Sequence, residues 1–136
     1  MVAQATGRAR AFGEVLNELT DRLSDVAILL GIGISPLSSL KFGAGATVLV
    51  ILSSYVGVLG KAVGAGRQYG GILGKADRML YLGLGCLVAF FVGNPSLLGS
   101  LRLFDLLLAA FAVLALITMT QRIAAIHRAL TPASRA

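Results

Sequence analysis

Residues 42–60 read FGAGATVLVILSSYVGVLG, nineteen residues without a charge. A bilayer core takes roughly 20 apolar residues per helix, so this run alone predicts a membrane-spanning helix. Three more uncharged runs flank it. Residues 26–40 give fifteen positions, residues 79–101 give twenty-three, and residues 106–121 give sixteen. The run 79–101 is long enough alone. The first must borrow Val15, Leu16, Leu19 and Leu23 from its charged N-terminal side. The last must borrow Leu103 and Phe104, and so carries Asp105 near one end. Only helices and closed barrels satisfy backbone groups in lipid. The pattern predicts an all-α integral membrane helical bundle with four transmembrane helices, at about 14–35, 42–60, 78–95 and 102–122, in one domain over 1–136. Residues 123–136 are expected to form a cytoplasmic amphipathic tail. Pro36, Asn94-Pro95-Ser96 and Thr131-Pro132 mark the expected breaks.

The whole composition agrees. Of 136 residues, 57% are hydrophobic and 13% charged, where soluble domains carry about 25% charged residues. A globule this small cannot hide so much apolar surface in one core. The net charge is +6, but the basic residues stand singly between apolar runs, which excludes a nucleic-acid partner. Cys86 is the one cysteine, so there is no internal disulfide and no paired-cysteine metal site. No Ser/His/Asp arrangement, Walker loop or Cys/His cluster occurs. Ten of the twelve Lys and Arg residues fall before residue 26, within 61–78 or after 121. With four spans those segments share one side, which predicts both termini in the cytoplasm of a bacterial-type inner or plasma membrane.

Four of the six acids lie in residues 14–25: Glu14, Glu18, Asp21 and Asp25. Asn17, Asp21 and Asp25 are spaced by four and so share one helical face. On a soluble helix, acids near the N-terminus serve the macrodipole. A polar stripe entering lipid is costly without partners and points into a bundle or wet cavity. Carboxylate and carboxamide oxygens favour a hard cation. Such an ion holds a diphosphate and aids activation of a hydroxyl, with substrate phosphates completing its shell.

These residues resemble the CDP-alcohol phosphatidyltransferase signature D-x2-D-G-x2-A-R-x8-G-x3-D-x3-D. Ala3-Gln4, eight residues, then Gly13-x3-Asn17-x3-Asp21 match its second part. FGEVLNELTDRLSD is similar to that family's third-helix opening, GRQYGGILGKADRM to its cytoplasmic loop and fifth-helix start, and TQRIAAIHR to its last helix. The resemblance implies a six-helix fold of which this chain is the C-terminal part, with D-x2-D-G upstream of Met1. It implies transfer of a substituted phosphate from a CDP-linked lipid or alcohol donor to a hydroxyl acceptor, releasing CMP, in phospholipid biosynthesis. It further implies Mg²⁺ or Mn²⁺ at Asn17 and Asp21, Asp21 as catalytic base, and Ala3 and Gly13 against the nucleotide. A second copy of the chain is an implied partner, and membrane lipid surrounds both. Two departures stand out: Gln4 replaces an arginine and Asn17 an aspartate.

The 61–78 loop carries Lys61, Arg67, Lys75 and Arg78 among five glycines. It is either a positive-inside loop or a lipid-phosphate site, with Lys75, Arg78 and Arg67 as the phosphate-binding candidates. Asp105 is expected to pair with Arg102, Asp25 to be structural, and His127 to lie on an anchoring surface. Two other functions remain open: a catalytically degenerate relative that binds lipid, nucleotide or a partner subunit, and a small four-helix transporter.

Overall fold

The computed structural model describes the backbone of residues 2–66 and 70–131, and the side chains of these from residue 11 onward other than 75, 97 and 98. Four helices carry the fold: α1 (Val2–Ile34), α2 (Leu40–Ala62), α3 (Lys75–Val92) and α4 (Leu103–Leu130). A two-stranded antiparallel hairpin, β1 (Ser96–Leu98) and β2 (Leu101–Arg102), joins α3 to α4.

α2 lies between α1 and α4. Its buried face is Gly43, Ala46, Thr47, Val50, Ser53, Gly57 and Gly60, a stripe of mostly small residues at three- and four-residue spacing. Small side chains let helix backbones approach closely. The approach is tightest where α1 crosses α2. A Cβ on Gly43 would stand 2.5 Å from the Gly33 Cα, and one on Gly33 would stand 2.7 Å from the Gly43 Cα. Backbone cannot yield as a flexible side chain can. Gly43→Ala is therefore expected to lose about 1–3 kcal/mol of stability through overpacking. Gly45→Ala is the control, since its added Cβ meets nothing within 4 Å. Denaturation of both variants in the same micelle checks the difference.

α4 buries Phe104, Leu108, Phe111, Ala115 and Thr118 on its inner face. With Leu29, Ala46 and Val50 these form the core. α3 leans on α4 through Tyr81 against Phe111, with ring centroids 6.4 Å apart, and through Gly85 over Leu107. Its other faces stay open, with Phe90, Phe91 and Val92 exposed.

Polar ties close the two ends differently. At one end, Asp105 accepts hydrogen bonds from the Ser38 hydroxyl at 2.6 Å, the Ser39 N–H at 3.0 Å and the Arg102 N–H at 2.9 Å. The Asn94 amide donates to Leu37 O at 2.7 Å, and the Arg102 guanidinium donates to Pro36 O. Asp105 thus pairs with Arg102 through the Arg102 N–H and the attraction of its charge, while the guanidinium makes its own hydrogen bond to Pro36 O. A three-donor grip on one carboxylate satisfies orphan N–H groups at the α2 and α4 starts. At the other end, Thr118 Oγ1 accepts the Leu73 N–H at 3.0 Å. Arg122 donates to Gly70 O at 2.8 Å and to Ser53 O at 2.7 Å. The segment before α3 is thereby held on α4.

Several expected boundaries change. The uncharged run 79–101 is not one span. α3 stops at Val92, Gly93 takes φ +79, and the hairpin occupies the remainder. Glycine tolerates that conformation where other residues rarely do. α4 runs on to Leu130, so the expected tail from 123 begins as helix; residues 132–136 lie outside the described residues. α1 begins far before residue 14. Its 33 residues measure about 50 Å, against a bilayer core of roughly 30 Å.

Two helices, α2 and α4, are long and apolar enough to cross a membrane, with mean hydropathy 1.9 and 2.3. α3 has 18 residues with Lys75, Asp77 and Arg78 in its first turn. α1 carries its acids and bases through its first two-thirds.

Candidate functional site

The charged residues of α1 meet those of α2 and α3 at the end held by Arg122. Glu14 pairs with Lys61 of α2 at 2.6 Å, both about half exposed. Four residues on, Glu18 lies 3.5 Å from Arg22. Deeper still, Asp25 meets Arg78 of α3 at 2.9 Å, both 5% exposed, and Arg22 approaches the same carboxylate at 3.6 Å. Glu14, Glu18 and Arg22 follow one another at four-residue steps and Asp25 stands three further on, so these ties run up one side of α1 into the bundle.

The buried pair has a physical logic. A lone carboxylate or guanidinium at this depth costs several kcal/mol. Opposed at contact distance, each cancels most of the other's penalty. Arg22 Nε and Nη1 and Arg78 Nε are buried without a hydrogen-bond acceptor among the described residues.

Asp21 sits between these ties. It is half-buried and lies within electrostatic range of Arg78. Asn17 is exposed one turn earlier. The two share a face of α1, as the spacing requires. Asp25, third in that stripe, is neutralised by Arg78 and Arg22. Among the described residues no three His, Cys, Asp or Glu side chains stand close enough to hold a metal ion. One carboxylate and one carboxamide do not make a shell for Mg²⁺ or Mn²⁺, which take six oxygens in octahedral order. These residues alone do not fit the ion that the resemblance implies.

The remaining candidates are scattered. Gly13 is exposed, and a Cβ there would meet nothing within 4 Å, so no close approach among the described residues demands glycine. Ala3 lies in the first turn of α1, its side chain outside the described residues. Lys75 opens α3, and its side chain likewise is not described. Arg67 lies outside the described residues. Arg78 departs from expectation: its guanidinium is buried against Asp25 rather than turned outward to phosphate. Arg22 and Arg122 were not among the expected site residues. The signal for Arg22 was its place on the Glu18–Asp25 side of α1. Arg122 gave none, because Gly70 O and Ser53 O, to which it donates, are backbone carbonyls that no sequence pattern marks.

Over 84 residues the chain is 33% identical to the inner membrane protein YnbA of Escherichia coli (strain K12). The match covers 62% of this chain and 42% of that protein. The chain thus spans less than half the length of its relative. No family model matches the chain, and no solved structure matches it.

Proposed function

We propose that all four helices cross a bacterial-type inner membrane, and that the chain serves transfer of a substituted phosphate from a CDP-linked donor to an alcohol in phospholipid biosynthesis. The observation that carries this is Asp21, half-buried on α1 at the charged end of the bundle, one turn from Asn17 and one turn from the Asp25–Arg78 pair. Resemblance to the CDP-alcohol phosphatidyltransferase signature supplies the reaction class. The similarity to an inner membrane protein and the two strongly apolar helices support the location.

In the proposed step the acceptor hydroxyl oxygen attacks the phosphorus carrying the lipid or alcohol group. The bond from that phosphorus to the CMP oxygen breaks, and its electron pair leaves with CMP. The hydroxyl proton passes to the Asp21 carboxylate. Asp25 and Arg78 hold α1 against α3, and so fix the depth of Asp21. The Mg²⁺ or Mn²⁺ implied by the resemblance would need ligands beyond Asn17 and Asp21. The assay is CMP release from CDP-diacylglycerol in mixed micelles, with and without a pool of polyols and amino alcohols. These residues alone are expected to bind the donor weakly without measurable transfer, and acceptor-dependent release is expected once a segment that supplies D-x2-D-G is joined before them. No release from that longer protein while it binds the donor would refute the reading.

One observation favours a second function. Asp25 is neutralised within the fold, and no three-acid cluster is present among the described residues. That is the condition of a non-catalytic relative that binds lipid or nucleotide, or partners another subunit. Donor binding without CMP release, in that longer protein as well, is its signature.

The four-span topology has its own test. Both ends of the chain and the 61–78 loop are expected in the cytoplasm, on the side rich in Lys and Arg. Cysteines placed at Ala65 and Ser96, with Cys86 removed, should react with an impermeant thiol reagent from opposite sides of inverted and right-side-out vesicles. Labelling of both from one side would sink the topology.

A further inference from the structure

Between α1 and α2 an apolar cleft of about 550 Å³ opens at the charged end. It adjoins a second of about 200 Å³ further along the same seam, and Glu18, Arg22 and Val58 line both. The walls change character with depth. Glu14 and Lys61 stand at the outer end. Arg22 lies at the junction, and Val58, Tyr55 and Ile51 line the inner part. From Lys61 to Ile51 the seam is about 15 Å long at the helical rise.

This sequence of groups matches the order of groups in one kind of molecule: a charged head, ester carbonyls, then hydrocarbon. The head is specified by sign. Among the described residues the rim carries one charge of each sign, Lys61 and Glu14, 2.6 Å apart and half exposed. A singly anionic head would meet Lys61 and be repelled by Glu14. A head that carries both a phosphate and an ammonium meets both.

We propose that this seam is a binding site for a zwitterionic glycerophospholipid with a primary ammonium head. The phosphate lies on Lys61, the ammonium on Glu14, and the ester region near Arg22. One acyl chain follows Val58, Tyr55 and Ile51. Asn17 and Asp21 do not line the seam, although Glu14 lies beside Asp21 around the helix, and the site does not require the chain to be an enzyme.

The chain has no tryptophan, so Tyr55→Trp places a single indole in the inner part of the seam. The protein is reconstituted in phosphatidylglycerol vesicles with a rising fraction of acyl-brominated phosphatidylethanolamine. Half-maximal quenching is expected at a few mole per cent, about tenfold below that for brominated phosphatidylglycerol added to the same vesicles. Lys61→Glu in the Tyr55→Trp background should remove that tenfold preference. Exchange of the two charges, Glu14→Lys with Lys61→Glu, should restore most of it. A Tyr81→Trp protein reports on α3, outside the seam, and should show no head-group preference. Helical circular dichroism confirms that each variant folds. Equal quenching of the seam indole by both lipids would mean ordinary boundary lipid and overturn the site. Absence of quenching by either would mean that protein, from a second copy or another subunit, covers the seam, and would overturn it equally.

Discussion

An Arg78→Met variant is expected to lose about 3–5 kcal/mol of folding stability, the usual cost of removing one member of a buried ion pair. Asp25 and Arg78 are each 5% exposed and meet at 2.9 Å. Removal of Arg78 leaves the Asp25 carboxylate with Arg22, which stands further off at 3.6 Å and is 22% exposed. The pair also joins α1 to α3, two helices that otherwise make few contacts with each other. Its loss should therefore loosen α3 first. The double change Asp25→Leu with Arg78→Met is expected to regain most of the loss, because apolar replacement of a whole buried pair is often neutral or stabilising. Denaturation of the single and double variants in bicelles supplies the comparison. A single-variant cost under about 1 kcal/mol, the value of an exposed pair, would mean that water reaches the site.

In a protein that also supplies D-x2-D-G, Asp21→Asn is expected to lower CMP release at least about a hundredfold, the low end for loss of a general base. The change preserves size and hydrogen bonding while it removes charge and basicity. Asp21 is half-buried and lies outside the Asp25–Arg78 pair, so the fold should survive its replacement. Asp25→Asn provides the contrast. It lies one turn deeper and meets Arg78 rather than substrate, so it should cost stability and much less turnover per folded molecule. Both variants are assayed for CMP release and normalised to folded protein. If Asp25→Asn proves as damaging per folded molecule as Asp21→Asn, the base is misassigned along α1. If Asp21→Asn leaves release unchanged, Asp21 takes no proton.

Much of the helical plan was legible in one dimension. An uncharged, strongly apolar run of nineteen residues admits little but a helix packed in lipid. Runs bounded by Pro36 and by Lys61 reveal their own ends. The shared face of Asn17, Asp21 and Asp25 follows from helical geometry alone. α3 shows the limit of such counting. Residues 79–101 are free of charge, but charge is silent on where a backbone turns. Gly93 at positive φ, with Asn94 tied to Leu37 and Phe104, turns the chain after Val92.

The all-α class, the concentration of basic residues in three segments and the polar stripe of α1 can all be read along the chain. Those features depend on residues near one another along the chain, where helical period and hydropathy operate. Which member of the stripe is sealed in a buried ion pair follows from how the helices pack. Asp25 and Asp21 are both aspartates on one face, four residues apart. What separates them is Arg78, fifty-three positions beyond Asp25, brought to it by the packing of α3 and α4. The same packing turned Arg78 inward from its expected place at a lipid phosphate, and placed Lys61 beside Glu14 at the mouth of the seam. Ion pairs between helices depend on distances in space, and no spacing along the chain encodes them.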